Sequence, residues 1–140
     1  MAENNSTSDG TGENHPDVSD LSISLDLDNT ERSLLIDTFF EILADHRRRF
    51  VLYVLTDEAS GVIEFESLVD RVMQYEQDVL RDQPEEHHRK GIVADLEHWH
   101  LPVLEDVGLI EFDERSETVR YWTCPYLEEW SNFVRSKEIP

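Results

Sequence analysis

The stretch His100-Leu101-Pro102-Val103-Leu104-Glu105-Asp106-Val107-Gly108-Leu109-Ile110-Glu111-Phe112 holds the turning point of the fold. Val103, Leu104 and Val107 continue an apolar stripe begun by Ile92, Val93 and Leu96, the three-and-four spacing of one helix face. Gly108 ends that helix, because glycine enters the left-handed cap without steric cost. Pro102 is expected to bend or restart it. Past the glycine the period changes. Leu109 to Phe112, a polar tip Asp113-Glu114-Arg115-Ser116-Glu117, and Thr118 to Trp122 read as two strands of a β-hairpin. After Pro125 a last helix presents Tyr126, Leu127, Trp130, Phe133 and Val134.

Towards the N-terminus, Gln83-Pro84 suits the start of the helix that runs into this stretch, since proline is tolerated in the first turn. Before it lies a third helix with Leu68, Val69, Val72 and Tyr75 inward, led in by a short strand Val62-Ile63-Glu64-Phe65 and a turn over Asp57 to Gly61. Asp45 caps a second helix carrying Phe50, Val51, Val54 and Leu55. Asn29 or Thr30 is expected to cap a first one carrying Leu35, Ile36, Phe39, Phe40 and Leu43. The order helix, helix, strand, helix, helix, hairpin, helix makes a mainly α domain with a small β-hairpin, an α+β fold, over residues 29–138. Residues 1–28 read as a disordered acidic tail. Within it Leu21, Ile23, Leu25 and Leu27 alternate with polar residues, as in an accessory strand 21–27 or a short adhesive segment.

A chain of 140 residues has the length of one domain. Its 32 acidic residues against 12 basic ones give a formal charge of −20, and the bases are 10 Arg with Lys90 and Lys137. Residues 1–30 carry −7 of this and residues 31–140 carry −13, so the domain itself is acidic. Hydrophobic residues at 39% are too many for a disordered chain, which makes the charge a coat on a core. Acid-rich, lysine-poor composition resembles that of cytoplasmic proteins from extreme halophiles. In molar salt the Debye length is about 3 Å, and neighbouring carboxylates are screened. A mesophilic acidic domain is the alternative. Cys124 is single, which excludes an internal disulfide and a cysteine-based zinc site. No basic residue precedes an apolar run at the N-terminus and no apolar run is long enough to span a bilayer, so an intracellular, cytoplasmic protein without membrane contact is expected.

The element order is that of a winged helix-turn-helix with an extra C-terminal helix. Phe39-Phe40-Glu41-Ile42-Leu43-Ala44-Asp45-His46-Arg47-Arg48-Arg49-Phe50-Val51-Leu52 resembles the opening of ArsR-type regulators, and His100 to Ile110 resembles their His-Leu-x-x-Leu-x-x-x-Gly-Leu-Ile segment. Together, Ala-Asp-x-Arg-Arg-Arg and His-Leu-Pro-x-Leu-x-x-x-Gly are also similar to a narrower group of haloarchaeal winged-helix domains. The resemblance covers about residues 34–122. It implies a transcriptional regulator whose fourth helix enters the major groove of DNA while the hairpin lies on the backbone. On that reading His87, His88, Arg89 and Lys90 meet DNA from the fourth helix, with Arg47, Arg49 and Arg115 as backbone contacts. Glu85 and Glu86 suit the helix dipole but repel a phosphate, and the tip of the hairpin carries Asp113, Glu114 and Glu117 against Arg115. The alternative is a winged-helix protein-interaction module that reads no DNA.

Arg47, Arg48 and Arg49 form the densest basic cluster. They serve either as a phosphate anchor or in ion pairs with acids such as Glu41 and Asp45, the latter favoured for Arg48. Terminal helices of ArsR-like regulators commonly pair, which makes Tyr126, Trp130, Phe133 and Val134 a candidate homodimer interface; packing back across the first helix is the competing reading. His98 and His100 are about 200° apart around a helix, and His87 and His88 also face different ways. No metal site or cofactor is therefore expected, and the histidines should be satisfied at a surface. No nucleophile elbow, phosphate loop or Cys/His pattern appears, so no enzymatic activity is expected.

Overall fold

The computed structural model describes residues 28–81 and 86–140. Helix α1 spans Asn29–Leu43 and α2 spans His46–Asp57; strand β1, Val62–Glu64, leads into α3, Phe65–Tyr75, which closes in a π-helical turn Glu76–Leu80. Helix α4, Glu86–Asp95, continues through a second π-helical turn, Leu96–His100, into α5, Leu101–Asp106. Strands β2, Ile110–Asp113, and β3, Thr118–Tyr121, form the hairpin, and α6 spans Pro125–Glu138. The sheet order is β1-β3-β2 with both pairings antiparallel, Ile63 and Phe112 flanking Val119. This is a mainly helical α+β fold with a hairpin wing. The expected strand over 21–27 and the Gln83-Pro84 helix start lie outside the described residues. No helix among the described residues is long and apolar enough to cross a membrane.

The cap of α1 is Asp28, one residue earlier than expected. Its carboxylate accepts from Glu31 N at 2.8 Å while Glu31 Oε1 accepts from Asp28 N at 3.0 Å. This reciprocal box satisfies two donors where Asn29 or Thr30 would satisfy one. Asp45 caps α2 as expected, accepting from Arg47 N and Arg48 N at 2.9 and 3.2 Å. Arg48 is buried and donates to the carbonyls of Ile42 and Glu41 at 3.0 and 2.9 Å, so it closes the end of α1 instead of pairing with an acid.

Phe50, Tyr53, Leu68, Ile92, Leu96 and Leu104 are fully buried where α2, α3 and the α4–α5 helix meet. The π-helical turn over Leu96–His100 inserts an extra residue per turn and rotates the stripe. As a result His100 and Leu101 become buried, and Val93 and Val103 are left only partly covered. Pro102 comes just after the π-helical turn, at the start of α5, and the helix runs on through it. Gly108, at φ +83°, ends the helix as its spacing predicts, with Leu109 N donating to Leu104 O at 3.0 Å. On α6 the Trp130 ring stands edge-on to Phe39 at 5.0 Å and lies 5.7 Å from Phe40, so it packs back across α1. Phe40 and Phe133 remain 63% and 65% exposed.

Candidate nucleic-acid interface and the polar cluster behind it

The buried end of α2 faces the two π-helical turns, and a polar cluster joins them. Arg47 grips Glu76 with two guanidinium nitrogens, Nη2 donating to Oε1 at 2.8 Å and Nε to Oε2, while Nη1 donates to Asp95 at 3.0 Å. The Glu76 side chain is 1% exposed, a burial that a carboxylate tolerates when a planar guanidinium meets it with both forks. That hydrogen bond and the charge of Glu76 raise the Arg47 pKa above the usual arginine value. Asp95 also accepts from His100 Nε2 at 2.9 Å, and Asp45 lies 3.6 Å from the same nitrogen. His88 Nε2 sits 3.4 Å from Glu76 Oε1, outside hydrogen-bonding geometry. One arginine thus ties α2 to the end of α3 and to α4.

His100 departs from the surface position expected of it. The residue is 1% exposed, its Nδ1 has no hydrogen-bond partner among the described residues, and burial pushes its pKa below the usual histidine value against the opposing pull of Asp45 and Asp95. The sequence does not single out Glu76, Asp95 and His100 as members of a cluster. Asp45 and Arg47, in the Ala-Asp-x-Arg-Arg-Arg run, are the members that the sequence marks.

The other candidate contacts scatter. Arg49 forks onto Glu138 at 2.8 and 2.7 Å, and Tyr53 donates to the same carboxylate at 2.9 Å. Arg89 turns away from the outer face of α4 to bond Glu66 at 2.6 Å and Asp70 on α3. Lys90 is exposed, and no described residue engages its ammonium. Arg115 stands exposed on the wing tip, where Asp113 Oδ1 accepts from its backbone N–H at 3.0 Å. Glu85 lies outside the described residues, as does the His87 side chain. Along α4 the exposed positions Lys90, Gly91 and Ala94 place two small side chains next to one lysine, and a Cβ at Gly91 would meet nothing within 4 Å. No group of three or more potential metal ligands occurs among the described residues.

Residues 40–120, more than half of the chain, match the family described as Domain of unknown function (DUF7344). The chain belongs to the DUF7344 family. No curated protein and no solved structure matches it. The DUF7344 span takes in the Arg47 cluster, the α4–α5 helix and the hairpin as far as Arg120, whereas α6 and most of α1 fall outside it.

Proposed function

We propose that this DUF7344 protein is a transcriptional regulator of a salt-rich cytoplasm that binds DNA as a homodimer, with the outer face of α4 in the major groove and the β2–β3 hairpin on the backbone. The observation that carries the reading is the arrangement of α3, the continuous α4–α5 helix and the hairpin. The helix presents Lys90, Gly91 and Ala94 outward, and small side chains on that face allow the close approach a groove requires. Lys90 and Arg115 are the cations in position to meet phosphates; Arg47, Arg49 and Arg89 would first have to leave their carboxylates. The second copy is assigned to the apolar face of α1 and α6, where Phe40 and Phe133 stand exposed beside the Trp130 packing.

The test is retention of genomic DNA fragments by the full chain across a KCl series. Retention is expected, and Lys90→Glu should weaken it and flatten its dependence on salt by about one phosphate contact per protomer. No retained fragment at any salt overturns the reading. The ion pairs of Arg47, Arg49 and Arg89 favour a second one, a protein-interaction module with an acidic surface, and that outcome would leave it standing.

A further inference from the structure

We infer that the trough beside Trp99, along the α4–α5 helix, binds a basic, apolar peptide segment of another protein. Trp99 is 58% exposed although its neighbours Leu96 and His100 are fully buried. On one side of its ring lies a recess of about 640 Å³ bounded by Arg47, His88, Gly91 and Asp95; on the other lies one of about 390 Å³ bounded by Glu41, Pro102, Val103 and Asp106. His98 and Trp99 border both. From Gly91 to Val107 the helix rises about 24 Å at 1.5 Å per residue. An extended chain at about 3.3 Å per residue would lay some seven residues along it.

Charge selects the occupant. On the Val103 side stands Asp106, which no described residue engages; on the Gly91 side Asp95 is shared by Arg47 and His100, and with Glu76 beside it the group holds one negative charge more than Arg47 balances. A phosphate backbone would meet repulsion there, and a second copy related by a two-fold axis would bring the same carboxylates face to face. An arginine or lysine would meet the open indole face and Asp106 together, while Pro102 and Val103 receive the apolar side chains between such cations. Large exposed aromatics flanked by a polar rim are the usual anchors of such contacts. The trough shares Gly91 and Ala94 with the proposed DNA face but uses neither Lys90 nor Arg115, so Lys90→Glu, which lowers DNA retention, should leave peptide binding in place.

The probes are two synthetic peptides of about ten residues, one alternating arginine with leucine and one alternating glutamate with leucine, titrated into the isotopically labelled full chain in KCl and followed by NMR. The arginine peptide should give saturable shifts at the Trp99 indole, Val103 and Asp106, and the glutamate peptide none there. Trp99→Ala and Asp106→Lys, both at exposed positions, should each weaken binding by about tenfold, the equivalent of about 1.4 kcal/mol. Phe133→Ser, on the α1–α6 face, should leave it unchanged. No saturable shift, equal response to the glutamate peptide, shifts centred on Phe40 and Phe133, or unaltered affinity in both trough variants would each overturn the assignment.

Discussion

His100 shows how one buried ring sets a pH dependence. Its Nε2 has Asp95 as partner and its Nδ1 is enclosed without one, so a second proton would have to enter a site with no acceptor in position. Burial outweighs the nearby carboxylates and lowers the pKa from its ordinary 6.5. Below about pH 6.5 the unfolded chain therefore binds more protons than the folded one, so stability is full above that value and falls as the pH drops towards the lower folded pKa. Asp45, Asp57 and Glu138 also have lowered values, but as carboxylates they lose their contribution in a more acidic window, below about pH 4.5. The urea midpoint should thus decline between about pH 7 and pH 5, and His100→Gln should flatten that decline. Equal declines in the two proteins would show that His100 is not the group responsible.

At the scale of the element, two glycines of the long helix and its cap make opposite predictions. Gly108 occupies φ +83°, where a Cβ crowds the following carbonyl, so Gly108→Ala should cost about 1–2 kcal/mol. Gly91 lies within α4 with open space around it, so Gly91→Ala should add about 0.5–1 kcal/mol by restricting the unfolded chain. Chemical denaturation reads both. If α4 approaches DNA as proposed, the stabilised Gly91→Ala protein should nonetheless bind more weakly, which separates groove contact from folding. The cap at Gly108 and the hairpin after it are legible in sequence because a glycine and a change of period are local signals. The π-helical turns are not. Glu76-Gln77-Asp78 carries no local signal of burial, and what buries Glu76 is Arg47, 29 positions away. The same distance effect hides the partners of Arg49 and Arg89, whose carboxylates lie on other helices. A basic cluster in a sequence therefore says little about which cations face solvent.

Over the whole molecule, attraction and repulsion respond to salt in opposite ways, and magnitudes decide between them. The surface pairs Arg71–Glu58, Arg89–Glu66 and Arg135–Asp57 each contribute about 0–1 kcal/mol and weaken with added salt. The Arg47–Glu76 pair, with one partner 1% exposed, is screened much less. Against these small losses stands the mutual repulsion of a domain with a formal charge of −13 over residues 31–140, which collapses as the Debye length shrinks from about 10 Å at 0.1 M to about 3 Å in molar salt. The melting temperature should therefore rise with KCl over that range, and an unchanged value would remove charge repulsion from the account of this fold. The same screening should favour association through Phe40 and Phe133, because two acidic copies must approach before their apolar faces can meet. Light scattering should accordingly show a dimer in molar KCl and a lighter average mass in dilute buffer. Phe133→Ser should restore the monomer in molar KCl while leaving the melting temperature measured at low protein concentration nearly unchanged, since the ring is already 65% exposed within one copy. A monomer at every salt concentration would confine the exposed α1–α6 face to some other partner.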